Sequence, residues 1–94
     1  MYATVRNYAG NAELVDALVQ NESEVKRLIE EIDGFKAYYL IRTIEGDAMS
    51  ISVFEDKSGG DESSRRAAEW VRENLSDLSV GAPQVSEGEV VITF

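Results

Sequence analysis

A chain of 94 residues has room for one hydrophobic core and none for a separate catalytic domain. With neither cysteine nor histidine, disulfides, thiolate nucleophiles, thiolate or imidazole metal sites and an imidazole general base are all excluded. Eighteen acidic against nine basic residues give a net charge of −9, a field that repels phosphate backbones and anionic headgroups, so neither nucleic acid nor membrane is an expected partner.

The first element is a strand, Tyr2 to Tyr8, rich in β-branched and aromatic residues and closed by Gly10-Asn11. Asn11 is placed to cap a helix. From Leu14 to Ile32 the apolar residues Leu14, Val15, Leu18, Val19, Val25, Leu28, Ile29 and Ile32 recur at helical spacing, with a break expected at Asn21-Glu22-Ser23. Asp33-Gly34 ends the helix. A hairpin follows, Phe35 to Ile44 and Ala48 to Glu55 around Glu45-Gly46-Asp47. Centred on Gly46, it sets Ile41 opposite Ile51, Tyr39 opposite Val53 and Thr43 opposite Met49, giving one uniformly apolar side. The other side pairs Arg42 with Ser50, Leu40 with Ser52 and Tyr38 with Phe54.

Asp56 to Asp61 reads as a loop, with Ser58 or Asp61 as cap for a second helix from about Glu62 to Leu78, whose inner stripe is Ala67, Trp70 or Val71, Asn74 or Leu75, and Leu78. Pro83 closes that region, and Val85 with Glu89 to Phe94 form the last strand. The order predicts an α+β, ferredoxin-like βαββαβ domain spanning residues 1–94, a four-stranded antiparallel sheet with two helices on one face. The apolar side, with Tyr39, Ile41, Met49, Ile51 and Val53, is expected beneath the helices. The side carrying Tyr38, Leu40 and Phe54 is expected to pack against a second copy, sheet to sheet. No apolar run approaches the ~20 residues of a membrane span and no leader pattern opens the chain, so a cytoplasmic location is expected.

Gly34-Phe35 with Tyr38-Tyr39, the run Ser50-Ile51-Ser52-Val53-Phe54-Glu55-Asp56, and Ala67-Ala68-Glu69-Trp70-Val71 together resemble the antibiotic-biosynthesis-monooxygenase-like superfamily of dimeric α+β barrels. The resemblance covers nearly the whole chain. It implies a homodimer whose paired sheets form a barrel, with a ligand cavity between sheet and helices in each subunit. Members include cofactor-free monooxygenases, haem-degrading enzymes, isomerases and proteins of unknown role. The haem branch ligates iron through a histidine, which this chain lacks, so no cofactor is expected.

Three residues form the expected ligand-binding set: Asn7, Tyr39 and Trp70. Asn7 shares a strand face with Ala3 and Val5 and is expected to point toward the helices, where a buried amide needs partners. In the branches this chain resembles, a strand asparagine and a second-helix tryptophan belong to the reactive pocket, and Asn7 and Trp70 match those types. Tyr39 is a candidate for sharing a proton with substrate. Ordinary core packing is the competing account of Trp70, and a strand-end hydrogen-bonding role that of Asn7. Tyr38, Arg42, Ser50 and Ser52 form a second constellation, read as a hydrogen-bonded dimer interface in preference to an anion site. Gly59-Gly60 lacks the lysine and hydroxyl of a nucleotide loop and reads as a flexible turn. The expected function is a small-ligand-binding dimeric barrel, the ligand being small and aromatic; the alternative is a cofactor-independent monooxygenase acting on an aromatic or quinol-like substrate.

Overall fold

A computed structural model describes residues 1–94. The elements run β1 (Tyr2–Tyr8), α1 (Ala12–Gln20), α2 (Glu22–Glu30), β2 (Phe35–Arg42), β3 (Ala48–Phe54), α3 (Lys57–Asn74) and β4 (Gln84–Glu89). The four strands pair antiparallel in the order β2-β3-β1-β4, with all three helices on one face. No helix is long and apolar enough to cross a membrane.

The first helical stretch, expected as one helix with a candidate break at Asn21-Glu22-Ser23, divides in two at Asn21. Asn21 Nδ2 donates to the carbonyl of Ala17 at 2.8 Å, satisfying the C-terminus of α1, while its own carbonyl accepts from Val25 N in the first turn of α2. There are therefore three helices where two are expected. Each short helix has its own anchor. Leu14 and Val15 of α1 pack on Ala48, with Tyr8, Leu18, Leu40, Val71 and Leu75 around them. Ile29 of α2 and Ile32 just beyond it pack on Phe54, whose ring meets Phe35 edge to face with centroids 5.9 Å apart.

The hairpin register differs from the expected one by two residues. Tyr39 opposes Ile51 and Ile41 opposes Met49. The connection is the three-residue loop Ile44-Glu45-Gly46, closed by Thr43 N donating to Asp47 O, with Gly46 left-handed at φ +89°. That loop type centres the hairpin on Glu45. A two-residue shift preserves the side-chain period, so the two faces keep their expected composition.

What changes is which face the helices cover. On β3, Ala48, Ser50, Ser52 and Phe54 are buried while Met49, Ile51 and Val53 are only half-buried. On β1, Thr4 and Arg6 are buried and Val5 is not. The helices sit on the side carrying Thr4, Arg6, Tyr8, Tyr38, Leu40, Ser50 and Ser52, and the more apolar side is open. The cause lies in α3, which starts earlier than expected: Asp56 caps it, its side chain accepting from Gly59 N, so Gly59 and Gly60 fall in the first turn. A Cβ on Gly59 would lie 2.8 Å from the Phe54 ring, and one on Gly60 2.9 Å from Thr4 Oγ1. These glycines let the helix descend onto the sheet; they are not a flexible turn. The first turn of α3 thus lies directly against Phe54 and Thr4, both fully buried. The branched residues Val5, Ile51 and Val53 are left to the other side.

The last strand is also shorter and earlier than expected. β4 pairs only with β1, and Val90 N to Met1 O at 2.8 Å is the final rung, so Val91 to Phe94 have no strand to pair with.

Candidate functional site

Between α1, α2 and β2 lies an apolar groove of about 440 Å³, lined by Val15, Leu18, Val19, Val25, Ile29, Phe35, Tyr38 and Leu40, with Glu22, Lys26 and Glu30 among its lining. It sits between the two core clusters, over the break at Asn21. Leu18, Val25, Ile29, Tyr38 and Leu40 also line a smaller inner recess of about 40 Å³, which is completed by Arg6, Tyr8, Ser50, Ala67, Trp70 and neighbouring aliphatic side chains. Groove and recess share those walls, and the polar groups lie at the recess end.

Arg6 dominates that end. It is 3% exposed, and every partner of its guanidinium is a serine hydroxyl. Nη2 donates to Ser63 Oγ at 2.6 Å and Ser64 Oγ at 2.9 Å, and Nε to Ser64 Oγ at 3.3 Å. Nη1 reaches Ser50 Oγ and Ser52 Oγ only at 3.4 and 3.5 Å. No carboxylate oxygen lies within 4.0 Å of the guanidinium. Arginine is almost never buried unless paired with an anion, because burying an uncompensated charge is costly. Burial accordingly pulls the Arg6 guanidinium below its ordinary pKa, while Tyr8, Tyr38 and Glu87 act in the opposite direction.

The phenols of Tyr8 and Tyr38 stand beside this cation. Burial raises both pKa values; Arg6 lowers both in part, and the Ser50 hydroxyl does the same for Tyr38. Both are therefore neutral hydrogen-bonding groups at physiological pH. Trp70, buried, contributes its ring to the recess and donates Nε1–H to Glu24 Oε1 of α2 at 2.9 Å, tying α3 to α2.

Of the expected set, Trp70 alone lines this space. Asn7 lies on the opposite face, in register with Met49 and Gln84, where its Oδ1 is enclosed without a hydrogen-bond donor. The expectation that Asn7 points toward the helices is corrected by the inverted faces: the inward residues of β1 are its neighbours Arg6 and Tyr8. Tyr39 is on that open face too, 59% exposed on the edge strand. The structure thus separates Asn7 and Tyr39 from Trp70 by the thickness of the sheet. Of the second constellation, Tyr38, Ser50 and Ser52 do come together, beneath the helices and around Arg6. Arg42 does not; it pairs with Asp16 at 2.7 Å on the surface.

No family profile matches the sequence, and no curated protein does. Solved structures do match in fold. The haem degrader MhuD from Mycobacterium tuberculosis, solved with two haems in its active site, superposes with a TM-score of 0.72 at 14% identity over 100% of this chain and 99% of that one. A monooxygenase of Streptomyces coelicolor in complex with nanaomycin D gives 0.67 at 17% identity over 98% and 92%. A Bordetella bronchiseptica protein assigned to the antibiotic biosynthesis monooxygenases gives 0.72 at 14% identity over 97% of each chain. These identities carry the architecture and leave the ligand open, since the first two hold chemically different molecules. The chain has the α+β fold of the antibiotic-biosynthesis-monooxygenase-like proteins.

Proposed function

We propose that this chain is a small-ligand-binding domain that works as a homodimer, and that its ligand enters between α1, α2 and β2. The observation that carries the reading is the groove of about 440 Å³, which shares wall residues with the inner recess. Its size falls in the range of pockets that hold small organic molecules, and its walls have the expected character, apolar with a few polar groups converging at one end. Phe35, Tyr38 and Trp70 favour a flat aromatic ligand. Similarity in fold to proteins that hold haem and nanaomycin D supports a small organic ligand.

The homodimer reading rests on the open side of the sheet. Val5, Tyr39, Ile41, Met49, Ile51 and Val53 form a continuous apolar surface there, and an apolar patch rimmed by polar groups marks an interaction site. The enclosed, unpaired Oδ1 of Asn7 on the same side is an acceptor that a second copy would satisfy.

The donors present do not fit haem iron, because the chain has no histidine or cysteine and the two phenols at the recess are held in the neutral form. The enzymatic alternative is a cofactor-independent monooxygenase, favoured by likeness to the Streptomyces enzyme. Its substrate would supply the electrons: a 1-naphthol and one O₂ give the 1,4-quinone and one water. The chain's part would be to orient the ring against Trp70 and Tyr38 and to stabilise the ionised oxygen.

Filling the groove tests the main reading. Replacing Leu18 by Trp should abolish binding of naphthalene-sized ligands in a calorimetric titration while leaving the thermal midpoint within a few degrees. Unchanged affinity would place the ligand elsewhere. Oxygen uptake with 1-naphthol above a buffer control separates the enzyme from the binding module.

A further inference from the structure

We infer that the ligand carries a single negative charge, as a carboxylate or ionised phenol, and that the Nη1 edge of Arg6 receives it in the inner recess. The inference rests on the groove being the ligand site and adds the chemistry of what fills it.

Three observations converge on the charge. The guanidinium is buried with no anion beside it, and its shell consists of hydroxyls, which satisfy N–H groups without cancelling the charge. That shell is uneven. Ser63 and Ser64 of α3 hold Nη2 at ordinary lengths, whereas the Nη1 bonds of 3.4 and 3.5 Å lie beyond the usual range for N–H···O contacts. The loosely held edge points toward Ser50, which with Arg6 lines the recess. The recess itself, at about 40 Å³, has room for roughly two or three water-sized groups. That suits a carboxylate or a phenolate oxygen, while a ring system is left to the groove. Charge-assisted N–H···O⁻ bonds are shorter and stronger than the hydroxyl contacts they would replace.

The surrounding groups support selection by charge. Tyr8 and Tyr38 supply neutral phenols that can donate to an anion. Ser50 accepts from Arg6 Nη1, and its hydroxyl is within hydrogen-bonding reach of the Tyr38 phenol, so it stands at the same end of the recess as both. A neutral ligand of the same shape would leave the cation as unpaired as it is without ligand.

The test uses 2-naphthoate and 2-naphthamide, which match in shape and differ in charge, titrated into isotopically labelled protein. Shifts at the amides of Leu18, Ile29 and Tyr38 report the groove, and the Arg6 Nε–H resonance reports the recess. Naphthoate should bind at least tenfold tighter than the amide and alone move the Arg6 resonance. Arg6→Gln should bring the two affinities within about twofold, and Arg6→Lys should restore part of the preference. Equal affinities in the unmodified protein would overturn the anion inference and leave the groove standing, a result that needs no variant to fold. A preference that survives Arg6→Gln would remove Arg6 from the role. If neither probe moves the groove amides, the binding reading falls as well.

Discussion

The two sides of the sheet invert the usual arrangement of a small domain. The side under the helices carries Thr4, Arg6, Ser50 and Ser52, all buried, and the side facing outward carries Val5, Ile41, Met49, Ile51 and Val53. A chain designed only to be stable alone would exchange these sets, since burying aliphatic groups is favourable and burying hydroxyls and a guanidinium is not. The covered side holds a charge without a counter-ion, and the open side holds apolar surface without a cover. The proposed ligand would answer the first deficit, and the proposed second copy the second.

The comparison breaks most severely if the open side is made polar. Ile51→Glu should raise the dissociation constant of the dimer by at least about 100-fold, because a buried carboxylate on each subunit would have no partner. Sedimentation equilibrium should find two chains for the unmodified protein, and single chains at micromolar concentration would sink the dimer. The expected effect on ligand affinity is small, since the groove lies on the other side.

Next in size is the covered side's dependence on glycine. Gly59→Val should cost about 1–3 kcal/mol through its clash with the Phe54 ring, a fall of roughly 10 °C in thermal midpoint for a domain of this size. Retained stability would mean that α3 does not approach the sheet as closely as the structure places it.

The smallest effect is in alkali. Burial raises the pKa of Tyr8 and Tyr38 in the folded chain above the ordinary value near 10.0. The folded state therefore holds these protons when the unfolded chain has begun to release them. Their contribution is fully present below about pH 10 and is lost as pH rises through the folded values. Urea midpoints should fall above that pH, and the double substitution to phenylalanine should flatten the fall. An unchanged slope would mean that these phenols are solvated.

The architecture was legible because period and punctuation specify it. Leu14 to Ile32 shows its helical stripe and its break at Asn21, and Gly46 marks the hairpin. The side to which the helices dock was not legible. Alternation along β3 separates two faces, and aliphatic content nominates Ile51 and Val53 for the interior. The deciding factor, the descent of α3 on Gly59 and Gly60, is a long-range contact with Phe54 and Thr4 that no local pattern encodes. Trp70 was readable from its helical stripe. Arg6 was not, since an arginine between Val5 and Asn7 looks like any surface position on a strand. The one available signal was its phase: Thr4, Arg6 and Tyr8 alternate with Ala3, Val5 and Asn7, and the serines at 50 and 52 repeat the same polar rhythm on β3.

The joint at Asn21 has a consequence for how such a domain diversifies. Two nine-residue rods cannot bury one continuous stripe, so each settles on its own anchor, one at Ala48 and the other at Phe54. The groove is the space left where those two settlements fail to meet. Its width is thus governed by the bend, and an insertion or a changed hinge residue there would rescale the chamber without altering any side chain that lines it.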